Sequence, residues 1–226
     1  MITNSNLHYQ IIRYIIDKGF APSVEALSKI MKVDDKDVIQ GLASLSEYHG
    51  VVLQPYEPSI WVIHPFSLAP TNFLVKSSKG IWWGNCAWCS LGIAALLNDD
   101  VNITTRLAAY DEQIVIHITG GQLQETDLYV HFPIPMQKAW DNVIYTCSNI
   151  LVFKDKLQIN QWTRRHHIPK GDVQPISKVW EFSKKWYSNH LNPNWEKWTL
   201  KEAKAIFQEF HLTGKIWELE DLETRF

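Results

Sequence analysis

The sequence predicts an α+β protein: a winged-helix-like three-helix module at the front, then a core of mainly antiparallel sheet covered by helices. Three observations carry this. Apolar residues recur at helical spacing through both ends of the chain. The middle holds β-branched, alternating segments joined by tight turns. The composition, 46 % hydrophobic and 20 % charged over 226 residues, suits a chain with a substantial core. The expected division is an N-terminal domain over 1–66 and a core domain over 67–226.

Leu7, Ile11, Tyr14 and Ile15 share one face of a helix over Leu7–Lys18, which Gly19 ends. Ser23 is placed to cap a second helix over Val24–Met31. Asp34 or Asp35 can cap a third, which carries Val38, Leu42 and Leu45 and runs to about Tyr48. Val51–Leu53 and Ile60–Ile63 bracket the turn residues Pro55 to Pro58, completing a helix-turn-helix with a wing. Pro65–Pro70 reads as a link and Asn72–Lys76 as a short strand. Gly80–Asn85 reads as a turn-rich aromatic run that leads to a buried helix ending at Leu97. Val101–Ala109 and Gln113–Thr119 form a predicted hairpin, followed by a third strand over Asp127–Phe132. Met136–Tyr145 reads as helical, with Cys147 just ahead of a strand at Ile150–Phe153. Helices are predicted over Gln158–His167, Ile176–His190 and Leu200–Phe210, the last opened by a Thr199…Glu202 capping box.

Charge and targeting narrow the function classes. The formal net charge is −2, which gives no global attraction to nucleic acid or an anionic membrane. Residues 1–66 hold five basic side chains (Arg13, Lys18, Lys29, Lys32, Lys36) against seven acidic ones (Asp17, Glu25, Asp34, Asp35, Asp37, Glu47, Glu57). The helix that would enter a DNA groove opens on three aspartates, so phosphate contacts are disfavoured and nucleic acid is not an expected partner. No apolar run approaches the ~20 residues of a spanning helix, and the first residues lack a signal-peptide pattern. Three cysteines, an odd number, argue against a disulfide framework. A cytoplasmic protein with reduced thiols and no membrane partner is expected.

Gly80–Leu97 concentrates the chemistry, with two of the three cysteines and three of the eleven tryptophans. Cys89 is expected at or just before a helix N-terminus, where unpaired N–H groups and the helix dipole favour the thiolate. The alternative is that Cys86 and Cys89 are small core residues beside packed tryptophans. Cys86-x-x-Cys89 is half of a zinc site without its second half, and a thioredoxin-like dithiol would belong to a βαβ unit, not to one followed by a hairpin. His166 and His167 diverge on a helix and mark no ligand set. A further reading brings Cys89 and Cys147 together on one soft, thiophilic cation, with tryptophans forming a water-excluding pocket for an organic group.

Ala87-Trp-Cys-Ser-Leu91, the aliphatic helix after it and Cys147 shortly before Phe153 resemble the core of the organomercurial (alkylmercury) lyases. The small helical module at the front and the tail from Val179 through Trp217 are similar to members of that family as well. The resemblance implies cleavage of a carbon–mercury bond by protonolysis. Cys89 would be the first thiolate and Cys147 the second, with mercury held transiently between them. No cofactor is implied; the substrate is a small organomercurial or another thiophilic compound, and cellular thiols accept the Hg²⁺. The family places an aspartate, or in some members a serine, three residues after the first cysteine. Here that position is Gly92, which has no side chain to donate a proton. Cys86 and Ser90 remain as possible auxiliaries, while Asp99 and Asp100 lie roughly 15 Å further along a helix from Cys89. Two other functions stand beside this one: a non-catalytic thiol pocket for a soft metal or hydrophobic ligand, and a helix-turn-helix transcription regulator.

Overall fold

The structure, a computed structural model, describes residues 2–220. Met1 and the last six residues of the expected 67–226 unit lie outside the described residues. Helices and antiparallel strands make up an α+β fold. The chain opens with helices α1 (Asn4–Lys18), α2 (Val24–Met31) and α3 (Asp35–Glu47). Thr3 caps α1 by accepting the Asn6 N–H, so the helix begins before its first buried residue, Leu7. Ser23 caps α2 in the same way, while Asp34 stands at the N-cap of α3 without a side-chain cap bond. Leu7, Ile11, Ile12, Ile15, Leu27, Val38, Leu42 and Leu45 from these helices are buried.

An eight-stranded sheet follows, with β1 (Val52–Leu53), β2 (Ile60–Ile63), β3 (Phe66–Ser67), β4 (Phe73–Ser77) and β5 (Gly80–Gly84). It continues through β6 (Val101–Arg106), β7 (Gln113–Thr119) and β8 (Gln122–Leu123). Its order is β1-β2-β3-β5-β4-β6-β7-β8, and every pairing is antiparallel. The hairpin predicted as a wing is the edge of this same sheet, and residue 66 falls inside β3. A second antiparallel sheet, β10-β9-β11, uses β9 (Tyr129–Phe132), β10 (Val152–Phe153) and β11 (Asp172–Pro175). The remaining helices are α4 (Ala87–Leu97), α5 (Val143–Ser148), α6 (Lys156–His166), α7 (Ile176–Trp186) and α8 (Leu200–Glu209).

Helix α4 is the centre of the packing. It is apolar all round, and every residue from Ala87 to Ala94 is buried, as a helix without a polar face must be. One side lies on β4 and β5, and the other meets α7. Trp82 in β5 donates its indole N–H to the Ile15 carbonyl at 2.9 Å, tying the sheet to the end of α1. Trp88 in α4 stacks on Phe182 of α7 (4.7 Å, 17°), and Trp186 stacks on Phe207 of α8 (5.5 Å, 11°). Thr199 and Glu202 form the predicted capping box at the start of α8.

Several local expectations are corrected. Gly80–Asn85 is not a turn run: its first five residues form β5, paired on both edges with β3 and β4. Backbone pairing there outweighs the turn preference of its glycines. The following helix begins at Ala87, because the Cys86 sulfur serves as the N-cap acceptor, and this leaves Cys89 inside the first turn. The strand from Val101 stops at Arg106, where Ala108 and Ala109 take positive φ. Met136–Tyr145 is not one helix: a 3₁₀ turn at Met136–Lys138 is followed by a new helix from Val143, which Asn142 caps by accepting the Tyr145 N–H. Cys147 therefore sits in the last turn of α5. The helix from Ile176 ends at Trp186, short of His190. Asp172–Pro175, not predicted, pairs with β9.

Gly84 sets how closely α4 approaches the sheet: a Cβ there would lie 2.7 Å from the Ser90 Cα. That neighbour is backbone and cannot swing aside. Gly84→Ala should cost about 1–3 kcal/mol, read as a lower urea midpoint with an unchanged slope.

Candidate active site

Three chain segments meet at the N-terminus of α4, and backbone hydrogen bonds hold them there. The Asn85 N–H donates to the Pro65 carbonyl, and the Ala87 N–H donates to the Ile150 carbonyl, each at 3.1 Å. The Ile150 N–H in turn donates to the carbonyl of Cys147. The Ala87 bond satisfies a donor that the helix start leaves without an intrahelical partner, and the other two fix the flanking segments. They also bring His64, Cys89 and Cys147 together: one ligand atom from each lies within 4.8 Å of the others. No other group of this kind exists among the described residues.

Around this cluster the contacts are specific. The Cys86 thiol donates to Cys89 Sγ at 3.3 Å and accepts the Cys89 backbone N–H at 3.4 Å. The Tyr187 hydroxyl lies 3.3 Å from Cys89 Sγ. His64 Nε2 lies 3.2 Å from the Asn85 amide nitrogen and 3.7 Å from Cys147 Sγ. Cys86, Cys89 and Cys147 are free thiols, all buried, and His64 is half-buried.

The electrostatics single out Cys89. Burial opposes its ionisation, but hydrogen bonds from Cys147 and Cys86, the nearby His64 and the Tyr187 hydroxyl outweigh it. They hold its pKa well below the usual thiol value. Its place in the first turn of α4 adds the positive end of the helix dipole. Cys86 is pushed well up, first by burial, and Cys147 well up, first by its hydrogen bond with Cys86. Tyr187 is raised by burial and by the charge of Cys89. One buried charge is thus concentrated on one sulfur, with protonated donors about it. His64, His8 and His190 are shifted toward their neutral forms. Burial lowers His64, and burial together with His190 and His64 lowers His8 well below its ordinary value. Burial, helped by His64, takes His190 down to about 3. A neutral imidazole offers a lone pair to a soft cation.

An apolar, aromatic cavity opens over Cys89 and Cys147 and is walled by Trp88, Trp140, Trp186, Trp195 and Tyr187. The N-terminal segment supplies part of the wall. His8 of α1 stacks on Trp195 (3.6 Å, 8°), His49 stacks on Trp140 (4.9 Å, 7°), and His64 meets the edge of Trp140. Three of the four buried side-chain nitrogens without a hydrogen-bond partner among the described residues belong to cavity-lining residues: His8 Nδ1, Trp88 Nε1 and Trp195 Nε1. Buried polar groups of this kind are ordinarily satisfied.

The sequence-predicted residues separate here. Cys89 and Cys147 converge and line the cavity; Cys86 touches Cys89 but lies behind it. Ser90 faces Gly84 of β5, and its hydroxyl donates to the Ala87 carbonyl at 2.7 Å. Gly92 lies against Tyr187: a Cβ there would be 2.3 Å from the ring's Cε2. His64 and Tyr187 are missed by sequence reasoning. Tyr187 carries only a helical-spacing signal, and His64, with 24 positions between it and Cys89, shares no motif with either cysteine.

A half-buried imidazole and two buried thiols lie at the edge of an aromatic cavity, a donor set that could hold a soft, thiophilic cation. The family model for alkylmercury lyase, MerB, matches residues 66–188, and the chain belongs to that family. In fold it is similar to the protein described as the mercury-bound form of MerB2 (TM-score 0.66, 19 % identity, covering 81 % of this chain and 91 % of that one). No curated protein matches the chain.

Two outcomes test the geometry. Gly92→Ala should destabilise the fold by about 1–3 kcal/mol. Because the clash is with one ring, Tyr187→Ala in the same chain should relieve it, a non-additive coupling that a double-mutant cycle in urea measures. The Cys89 shift predicts thiolate ultraviolet absorbance that persists below the ordinary thiol titration near pKa ~8.5. It should disappear only as pH falls through the lowered value, and Cys89→Ser should remove that component.

Proposed function

We propose that this protein cleaves carbon–mercury bonds in small organomercurials, with Cys89 as the attacking thiolate and Cys147 as the second sulfur. The observation that carries this reading is the approach of His64, Cys89 and Cys147 to within 4.8 Å under an aromatic cavity. Two metal–sulfur bonds, each about as long as a zinc–sulfur bond at ~2.3 Å or slightly longer, span that separation without backbone movement. Cys89, already ionised, attacks mercury in R–Hg⁺ and displaces the ligand it carried. The tryptophans receive R and exclude water. Cys147 then binds the same mercury as the hydrocarbon leaves, and His64 is placed to steady the metal through its ring nitrogen. Sulfur donation from both thiols weakens the Hg–C bond. Cellular thiols afterwards exchange onto Hg²⁺ and clear the site.

The N-terminal segment serves this chemistry by covering the cavity with His8 of α1 and His49 just past α3, while His64 follows β2. That use, with the acidic opening of α3, supports a covering role over regulation through nucleic acid. No helix of the described residues is long and apolar enough to cross a membrane, and reduced cytoplasmic thiols suit a reaction that starts from free cysteines.

Incubation with phenylmercury should release benzene and leave one Hg²⁺ on each chain. Cys89→Ser and Cys147→Ser should each lower benzene release by more than about a hundredfold. Stoichiometric retention of intact phenylmercury by the wild-type protein, with no benzene, would instead identify a non-catalytic thiol pocket.

A further inference from the structure

Protonolysis needs a donor for the carbon that leaves mercury, and Gly92 supplies none. The volume a side chain at 92 would take is filled from another element. A Cβ on Gly92 would lie 2.3 Å from Tyr187 Cε2 and 2.4 Å from Cδ2. Tyr187, at the C-terminal end of α7, therefore lays its ring against α4 where a longer residue would stand. The ring is 2 % exposed and lines the cavity, and its hydroxyl lies 3.3 Å from the sulfur that receives mercury.

We propose that Tyr187 is the proton donor of the reaction, filling through space the role that Gly92 cannot. The assignment rests on the lyase reading above. With R–Hg bound to Cys89, the hydroxyl and the mercury-bound carbon share the neighbourhood of one sulfur, inside the same cavity. The O–H proton passes to that carbon, which takes it with the electron pair of the breaking Hg–C bond, and R–H leaves. The Cys147 sulfur bonds mercury as its own proton is released, and that proton restores the phenol. In sum one Hg–C and one S–H bond break, while one C–H and one Hg–S bond form. Mercury stays divalent throughout.

Other donors near the sulfur are less well placed. Ser90 Oγ donates to the Ala87 carbonyl, and Asp99, beyond the C-terminal end of α4, accepts from Ser78. The Cys86 thiol touches Cys89 at 3.3 Å but does not line the cavity in which R must sit. Tyr187 combines contact with the sulfur and access to the substrate.

Single-turnover reaction with phenylmercury tests the assignment. Tyr187→Phe keeps the ring against Gly92, so the variant should melt like the wild type and capture one phenylmercury per chain. Its benzene release should fall by about a hundredfold or more, the typical contribution of a general acid. Tyr187→Ala should lose release similarly, and adding Gly92→Asp to it should restore release by placing a carboxyl in the emptied volume. Benzene release at the wild-type rate from Tyr187→Phe overturns the assignment while leaving the lyase reading intact. A loss seen in Cys86→Ser but not in Tyr187→Phe also overturns it and moves the role to Cys86. Wild-type protein that holds phenylmercury without releasing benzene overturns both the lyase reading and this assignment.

Discussion

The site depends on how the buried N-terminus of α4 satisfies its backbone donors. A helix start enclosed in the core has no water to accept its first N–H groups. Here Ile150 O accepts from Ala87, the Cys86 sulfur accepts from Cys89, and the preceding Asn85 N–H goes to Pro65 O. Each partner lies on or beside a chain segment that carries a site residue. The bonds that make the helix end tolerable in the core are therefore the ones that bring His64, Cys89 and Cys147 to one point. A cluster whose members are dozens of residues apart is assembled by backbone hydrogen bonding, before any side-chain attraction is considered.

The same burial governs the charge. Three thiols and a phenol share a small, buried volume, where a second ionised sulfur would be strongly disfavoured. The charge settles on Cys89, which has the most donors and the helix dipole, and its neighbours stay protonated. This asymmetry suits a sequence of events in which one sulfur attacks and another follows. Burial pushes His64, His8 and His190 toward their neutral forms.

Aromatic packing gives the site its shape. The stack of Trp88 on Phe182 joins α4 to α7, and Trp186 on Phe207 joins α7 to α8. With α7 fixed in this way, Tyr187 is delivered from its end onto Gly92. Glycine at 92 and tyrosine at 187 are thus complementary parts of one arrangement: the first leaves a gap, and the second fills it with a ring whose hydroxyl reaches the reactive sulfur. The N-terminal helices close the other side through His8 and His49 against Trp195 and Trp140.

The sequence by itself determined the class of fold and pointed to Cys89 and Cys147. Apolar spacing and Ser23 marked α2, the Thr199–Glu202 box marked α8, and the all-apolar run from Leu91 marked a buried helix, because these signals are local and lie within a few residues. Cys89 and Cys147 were legible through the family resemblance. The tertiary structure alone decided the rest. It made strand β5 from glycines and tryptophans through pairing on both edges, and it placed Cys147 inside α5 by means of the Asn142 cap. It also brought His64 to the two thiols and the Tyr187 hydroxyl to Cys89. No spacing rule could reveal those last contacts: they arise from segments that adjoin only when the helix start they share is buried.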